Sequence, residues 1–143
     1  IVVSGTSPVG LSFRENKCTG YLGSFQSYTP SLPQQCPAPA SELASHYRGS
    51  YLQDLACIDY VETLPSCRVP TQVGSAGLSS ACRSFVETYL NYNGCLGLHQ
   101  TDADFNGRVW RIYLGRSEPL WQTGHEVVEL LDREGRTVDT FSY

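Results

Sequence analysis

Asp102-Ala103-Asp104-Phe105-Asn106-Gly107 sets carboxylates at alternate positions ahead of a glycine. This is how a calcium loop opens, with hard oxygen ligands converging where glycine permits a sharp bend. The bidentate glutamate that closes such a loop would fall at Tyr113, inside a run of strand-forming residues, so an EF-hand loop is excluded. Two readings remain. In one, Asp102, Asp104 and Asn106 join a distant carboxylate in a looser calcium site; in the other they form a polar turn entering a strand, with Phe105 buried as its anchor. His99, three residues before Asp102, would make a general-base dyad with Asp102 or Asp104, the chemistry of a secreted hydrolase. No nucleophile accompanies it, since no serine sits in a G-x-S-x-G elbow. His125 reads as a surface residue, and His46 as a cation suited to a helix C-terminus. Of the two tryptophans, Trp110 lies in a strand and reads as core, whereas Trp121, in a loop after Glu118-Pro119-Leu120, reads as the exposed binding anchor.

The other chemistry-bearing set is the six cysteines, Cys18, Cys36, Cys57, Cys67, Cys82 and Cys95. Zinc sites draw ligands in closely spaced pairs, and the nearest cysteines here are ten positions apart. An even number at wide spacing points to three disulfides and an oxidising compartment, so an extracellular or cell-surface, exported chain is expected.

Composition narrows the function further. A formal charge of −4 argues against a nucleic-acid partner. No apolar run is long enough to span a bilayer. The start at Ile1-Val2-Val3 and the lack of methionine suggest a processed or excised piece of a longer protein. At 143 residues with 41% hydrophobic content, one domain over 1–143 is expected, its disulfides reinforcing a core.

Three stretches must position these residues. Residues 1–40 carry Pro30, Pro33, Pro37 and Pro39 and read as a pinned, extended segment. Residues 40–95 read as helical. A short helix spans Pro39 to Tyr47, and a second is capped by Ser50-Tyr51-Leu52-Gln53 and runs to Pro65. A third carries Leu78, Ala81, Cys82, Phe85, Val86, Tyr89 and Leu90 on one stripe, with Ser79 as cap and Asn93-Gly94 as exit. Residues 98–143 change to the period of strands, with Val109–Leu114 followed by a hairpin of 126–131 and 137–143. The hairpin turns through Asp132-Arg133-Glu134-Gly135, with Gly135 left-handed.

Fifteen pairings of six cysteines are open. If the helices before Pro65 and after Leu78 form an antiparallel hairpin, nested bridges Cys57–Cys95 and Cys67–Cys82 clamp its two ends, and Cys18–Cys36 closes the proline-rich segment. The neighbour pairing Cys57–Cys67 with Cys82–Cys95 is disfavoured, because the second bridge would need residues 92–95 to double back almost fully extended.

The run Trp110-Arg-Ile-Tyr-Leu-Gly, then Leu120-Trp121, then Glu126-Val-Val-Glu-Leu-Leu-Asp-Arg-Glu-Gly-Arg-Thr-Val-Asp139 resembles the closing part of the lamin tail domain family, in its bacterial, secreted branch. The shared pattern is a strand, an aromatic loop and an L-L-D-x-x-G-x-x-V-D hairpin, over about a quarter of the chain. The resemblance implies an immunoglobulin-like β-sandwich that binds or scaffolds and carries no catalytic residues. The helical, cysteine-bearing 40–95 departs from that family's strand-rich opening.

The expected fold is therefore α+β: a small antiparallel β-sheet, or a partial immunoglobulin-like β-sandwich, covered by a disulfide-bridged helical hairpin. The expected function is a non-catalytic module of a bacterial exported protein that contacts protein or carbohydrate and needs no cofactor. The rival is a hydrolase or calcium-stabilised module built on His99, Asp102 and Asp104.

Overall fold

A computed structural model describes residues 1–48, 53–75, 77–122 and 124–143. The chain is a mixed α+β protein with small sheets and three disulfides. Of the two architectures expected, small sheets are what the described residues form.

Strand β3 (Asn106–Tyr113) is the centre of a three-stranded sheet. It pairs antiparallel with β2 (Phe13–Asn16) and parallel with the short β1 (Val2–Val3). Side chains alternate across a strand. Val3, Phe13, Arg111 and Tyr113 therefore face inward, and Val2, Arg14, Trp110 and Ile112 face outward. Phe13 stacks on Tyr113 and meets the Tyr28 ring edge-on.

The expectation that Trp110 is core fails for one reason: Arg111 takes the inward position. Arg111 is 2% exposed, its Nε donating to Glu15 Oε1 at 2.5 Å. Its two terminal nitrogens donate to the carbonyls of Pro30 and Ser31, the latter at 2.9 Å. A buried guanidinium is tolerable only when its charge and donors are all met, and here it also holds the proline-rich segment against the sheet. With period two fixed by Arg111, Trp110 must point to solvent, where it is 54% exposed.

Helices α1 (Pro39–His46), α2 (Leu55–Glu62), α3 (Ser80–Tyr89) and α4 (Tyr92–His99) follow between the sheet strands, after a 3₁₀ turn at Thr19–Ser24. Pro39 opens α1, where its missing amide hydrogen costs nothing. The expected capping box falls largely outside the described residues, since 50–52 are not among them. Asp54 is the cap of α2, accepting from the Cys57 amide, and Ser79 caps α3 as expected, accepting from Cys82. Ser79 and Tyr47 also donate to Asp54 Oδ2, at 2.6 and 2.5 Å, so the starts of α2 and α3 lie side by side.

That meeting corrects the nested disulfides. Cys57 and Cys82 each stand on the first turn of a helix, and they bond to each other. Cys67, beyond the Pro65 stop, has a left-handed backbone (φ 62°) and bonds Cys36, while Cys18 bonds Cys95. Cys57–Cys95, Cys67–Cys82 and Cys18–Cys36 are thus all replaced, because helix starts meet helix starts rather than ends. Asn93-Gly94 is not an exit either. The chain breaks after Leu90, and Asn91 caps α4 by accepting from Gly94. A Cβ on Gly94 would lie 2.1 Å from the Thr88 carbonyl oxygen, so only glycine lets α4 start this close to α3.

Two cores result. Leu43, Val61, Val73, Leu78, Phe85, Val86 and Leu90 pack around the Cys57–Cys82 bridge. Tyr21 and Phe105 pack with the other two bridges. The β4 (Val127–Leu131) and β5 (Thr137–Ser142) hairpin joins neither. Its turn is as expected. Gly135 has φ 79°, and the Asp132 carboxylate accepts from the amides of Glu134 and Arg136. The amides of Asp132 and Gly135 close the turn on the carbonyls of Arg136 and Asp132.

Candidate functional site

Phe105 is buried, and its carbonyl accepts from the Lys17 amide, which fixes the 99–105 turn against the end of β2. Lys17, the chain's sole lysine, then reaches both acidic residues. Its Nζ lies 2.8 Å from Asp102 Oδ2 and 2.6 Å from Asp104 Oδ1. The two aspartates proposed as calcium ligands thus converge on an ammonium group. Asn106 begins β3 opposite Asn16. Among the described residues, no group of three or more His, Cys, Asp or Glu side chains is disposed to hold a metal.

His99 ends α4 between two carboxylates. Its Nδ1 is 2.8 Å from Asp102 Oδ2, and its Nε2 is 3.1 Å from Glu42 Oε1. Glu42 lies on α1 and is 7% exposed; its second oxygen, without a hydrogen-bond partner, has His46 Nε2 3.8 Å away. A line of contacts runs from His46 through Glu42, His99, Asp102 and Lys17 to Asp104. It ties α1, α4, the post-α4 turn and the end of β2 together.

Local fields follow from this arrangement. The Lys17 ammonium, with His99 second, holds the Asp102 carboxyl below its usual range, and Lys17 does the same for Asp104. The two aspartates in turn raise Lys17. Burial, with the Glu42 charge second, pushes the Tyr21 hydroxyl up to about 12.

A general base needs a free ring nitrogen within reach of the substrate proton. At His99 both nitrogens face carboxylates, and every cysteine is bonded. Among the described residues no hydroxyl contacts His99, so the nucleophile–base–acid line of a hydrolase is not assembled. A cleft of about 340 Å³ beside Lys17 and Asp104 is lined also by Glu15, Gln35, Phe105 and Arg108. Glu15 is committed to Arg111, and Lys17 to the aspartates.

The exposed surfaces lie elsewhere. Trp121 is half-buried in the loop before the hairpin, which is held by Tyr143 Oη donating to the Gln122 carbonyl and Gln122 N to Glu126 Oε1. The more open ring belongs to Trp110, and Val2, Ile112 and Leu114 extend its patch at 50, 43 and 42% exposure. Sequence reasoning missed this patch, as well as Glu15, Lys17 and Glu42. The available signal was Arg111, a charged residue centred in Val-Trp-Arg-Ile-Tyr. On the hairpin, Val127, Leu130, Val138 and Phe141 are each 60% exposed or more.

Fold and site together define a disulfide-stapled α+β chain whose strands expose large apolar side chains. Among the described residues, no helix is long and apolar enough to cross a membrane. No protein-family profile, curated protein or solved structure matches the chain. The lamin-tail resemblance therefore rests on residues 110–143 and the hairpin motif alone.

Proposed function

We propose that this chain is a non-catalytic, extracellular module of an exported protein that acts by contacting another protein through its β surfaces. The observation that carries this reading is the concentration of large apolar side chains in solvent on β3 and on the β4–β5 hairpin, while helices and disulfides keep their own interior closed. Clustered apolar surface of this kind marks interaction sites. Protein is favoured over carbohydrate because Ile112, Val2 and Leu114 continue the apolar surface around Trp110, with Arg14 in register beside it. Three disulfides support a site of action outside the reducing cytosol.

A photo-crosslinking residue placed at Trp110 or Phe141 tests this reading, with the exposed helical Leu55 as control. Protein adducts at the two β positions and none at Leu55 are expected, and adducts at Leu55 alone would overturn the assignment. Chromogenic ester, peptide and glycoside substrates should show no turnover. Turnover that disappears in His99→Gln would replace this reading with the hydrolase.

A further inference from the structure

We propose that the partner is a second copy of this chain, the β4–β5 hairpin of each subunit lying across the outer face of the other's three-stranded sheet. This rests on the preceding reading that the β surfaces are contact surfaces, and it names their occupant. The receiving face carries Val2, Trp110, Ile112 and Leu114, with Arg14 in register opposite Trp110. The donating face of the hairpin carries Val128, Leu130, Phe141 and Tyr143, with Asp139 in register opposite Leu130. Leu130 is 60%, Phe141 65% and Tyr143 44% exposed, and the two aromatic rings are stacked 5.8 Å apart.

Each face thus carries four apolar side chains; Arg14 stands on the receiving face, and Asp139, with Glu126 opposite Tyr143, on the donating face, so the charges are opposite. Arg14 Nε donates only to the Gly107 carbonyl, and Asp139 accepts only from the amide of Thr140. Among the described residues neither forms an ion pair. Sheets stack face to face by burying alternate side chains of this kind, and complementary charge fixes the register of contact.

Because one chain carries both donor and acceptor, reciprocal exchange between two copies closes a dimer with two equivalent contacts. Eight apolar side chains meet in each of the two contacts.

The test is sedimentation equilibrium on the disulfide-intact chain, from low micromolar to near-millimolar concentration. The expected mass is twice the 15.8 kDa of one chain. Asp139→Arg or Arg14→Glu alone should weaken association by about tenfold or more, and the combined variant should recover it. Near-UV circular dichroism identical to wild type establishes that each variant is folded. A monomeric wild type, or single reversals that leave the dimer unchanged, overturns the proposal. If the chain is monomeric while crosslinks to another protein persist at 110 and 141, the contact-surface reading stands and only self-association fails.

Discussion

Phe85 and Phe141 are the same side chain in opposite circumstances. The first is 3% exposed, packed on α3 against Tyr47 and Tyr89; the second is 65% exposed on β5, stacked on Tyr143. The difference extends to the regions that hold them. Residues 15–111 carry two apolar clusters, a buried ion pair and three covalent bridges. Residues 126–143 have a well-made turn and a five-pair ladder but no interior. An isolated two-stranded hairpin is marginal in water. The bridged region carries its own buried apolar clusters, and the hairpin contributes to neither.

The sharpest way to break this contrast is to open the bridge spanning most of the closed region. Replacing Cys18 and Cys95 by alanine removes a link across 77 positions and should cost about 4–5 kcal/mol in urea unfolding followed by far-UV circular dichroism. Hydrogen exchange in the hairpin should stay unchanged. Arg111→Ala strands the buried Glu15 carboxylate and releases the Pro30–Ser31 segment, with an expected loss of roughly 3–5 kcal/mol by the same measurement. Replacing both Glu15 and Arg111 with leucine should cost less than the single change, which distinguishes a stranded charge from lost packing.

Asp54→Ala unties the paired starts of α2 and α3 and should cost about 1–2 kcal/mol. Hydroxyl bonds from Ser79 and Tyr47 hold the Asp54 carboxyl below its ordinary 3.8. A lowered folded value means the stabilisation is complete above 3.8 and is lost as pH falls through the folded value. The variant should therefore show a shallower acid limb in its stability profile than wild type. The smallest effect is expected in the hairpin. Phe141→Ser should leave unfolding of the closed region within about 0.5 kcal/mol, while abolishing crosslinks at position 110. A larger loss of stability would mean that hairpin and core fold as one unit.

Much of this organisation is legible in the chain. The α3 stripe, its Ser79 cap, the β3 segment and the Asp132–Gly135 turn are local patterns, each decided by neighbours within a few residues. The existence of disulfides followed from number and spacing. Their pairing did not, because it depends on α2 beginning at Leu55 under an Asp54 cap, which places Cys57 at a helix start beside Cys82. The outward turn of Trp110 was hidden for a similar reason. It follows from Arg111 finding Glu15 and two carbonyls 80 to 96 positions away, a long-range match that no local period reports. In the candidate site, the proximity of His99, Asp102 and Asp104 was readable. Lys17 and Glu42, which occupy those groups, arrive from elements far away in the chain.

The bridges also interleave. Cys36–Cys67 overlaps Cys57–Cys82, and both lie within the span of Cys18–Cys95. A protease that nicks the backbone once anywhere between Cys18 and Cys95 leaves a single molecule of undiminished mass apart from one added water. One nick between Tyr113 and Glu126 leaves the hairpin on a separate, cysteine-free peptide, so the proposed contact surface is also the part the chain can most readily lose.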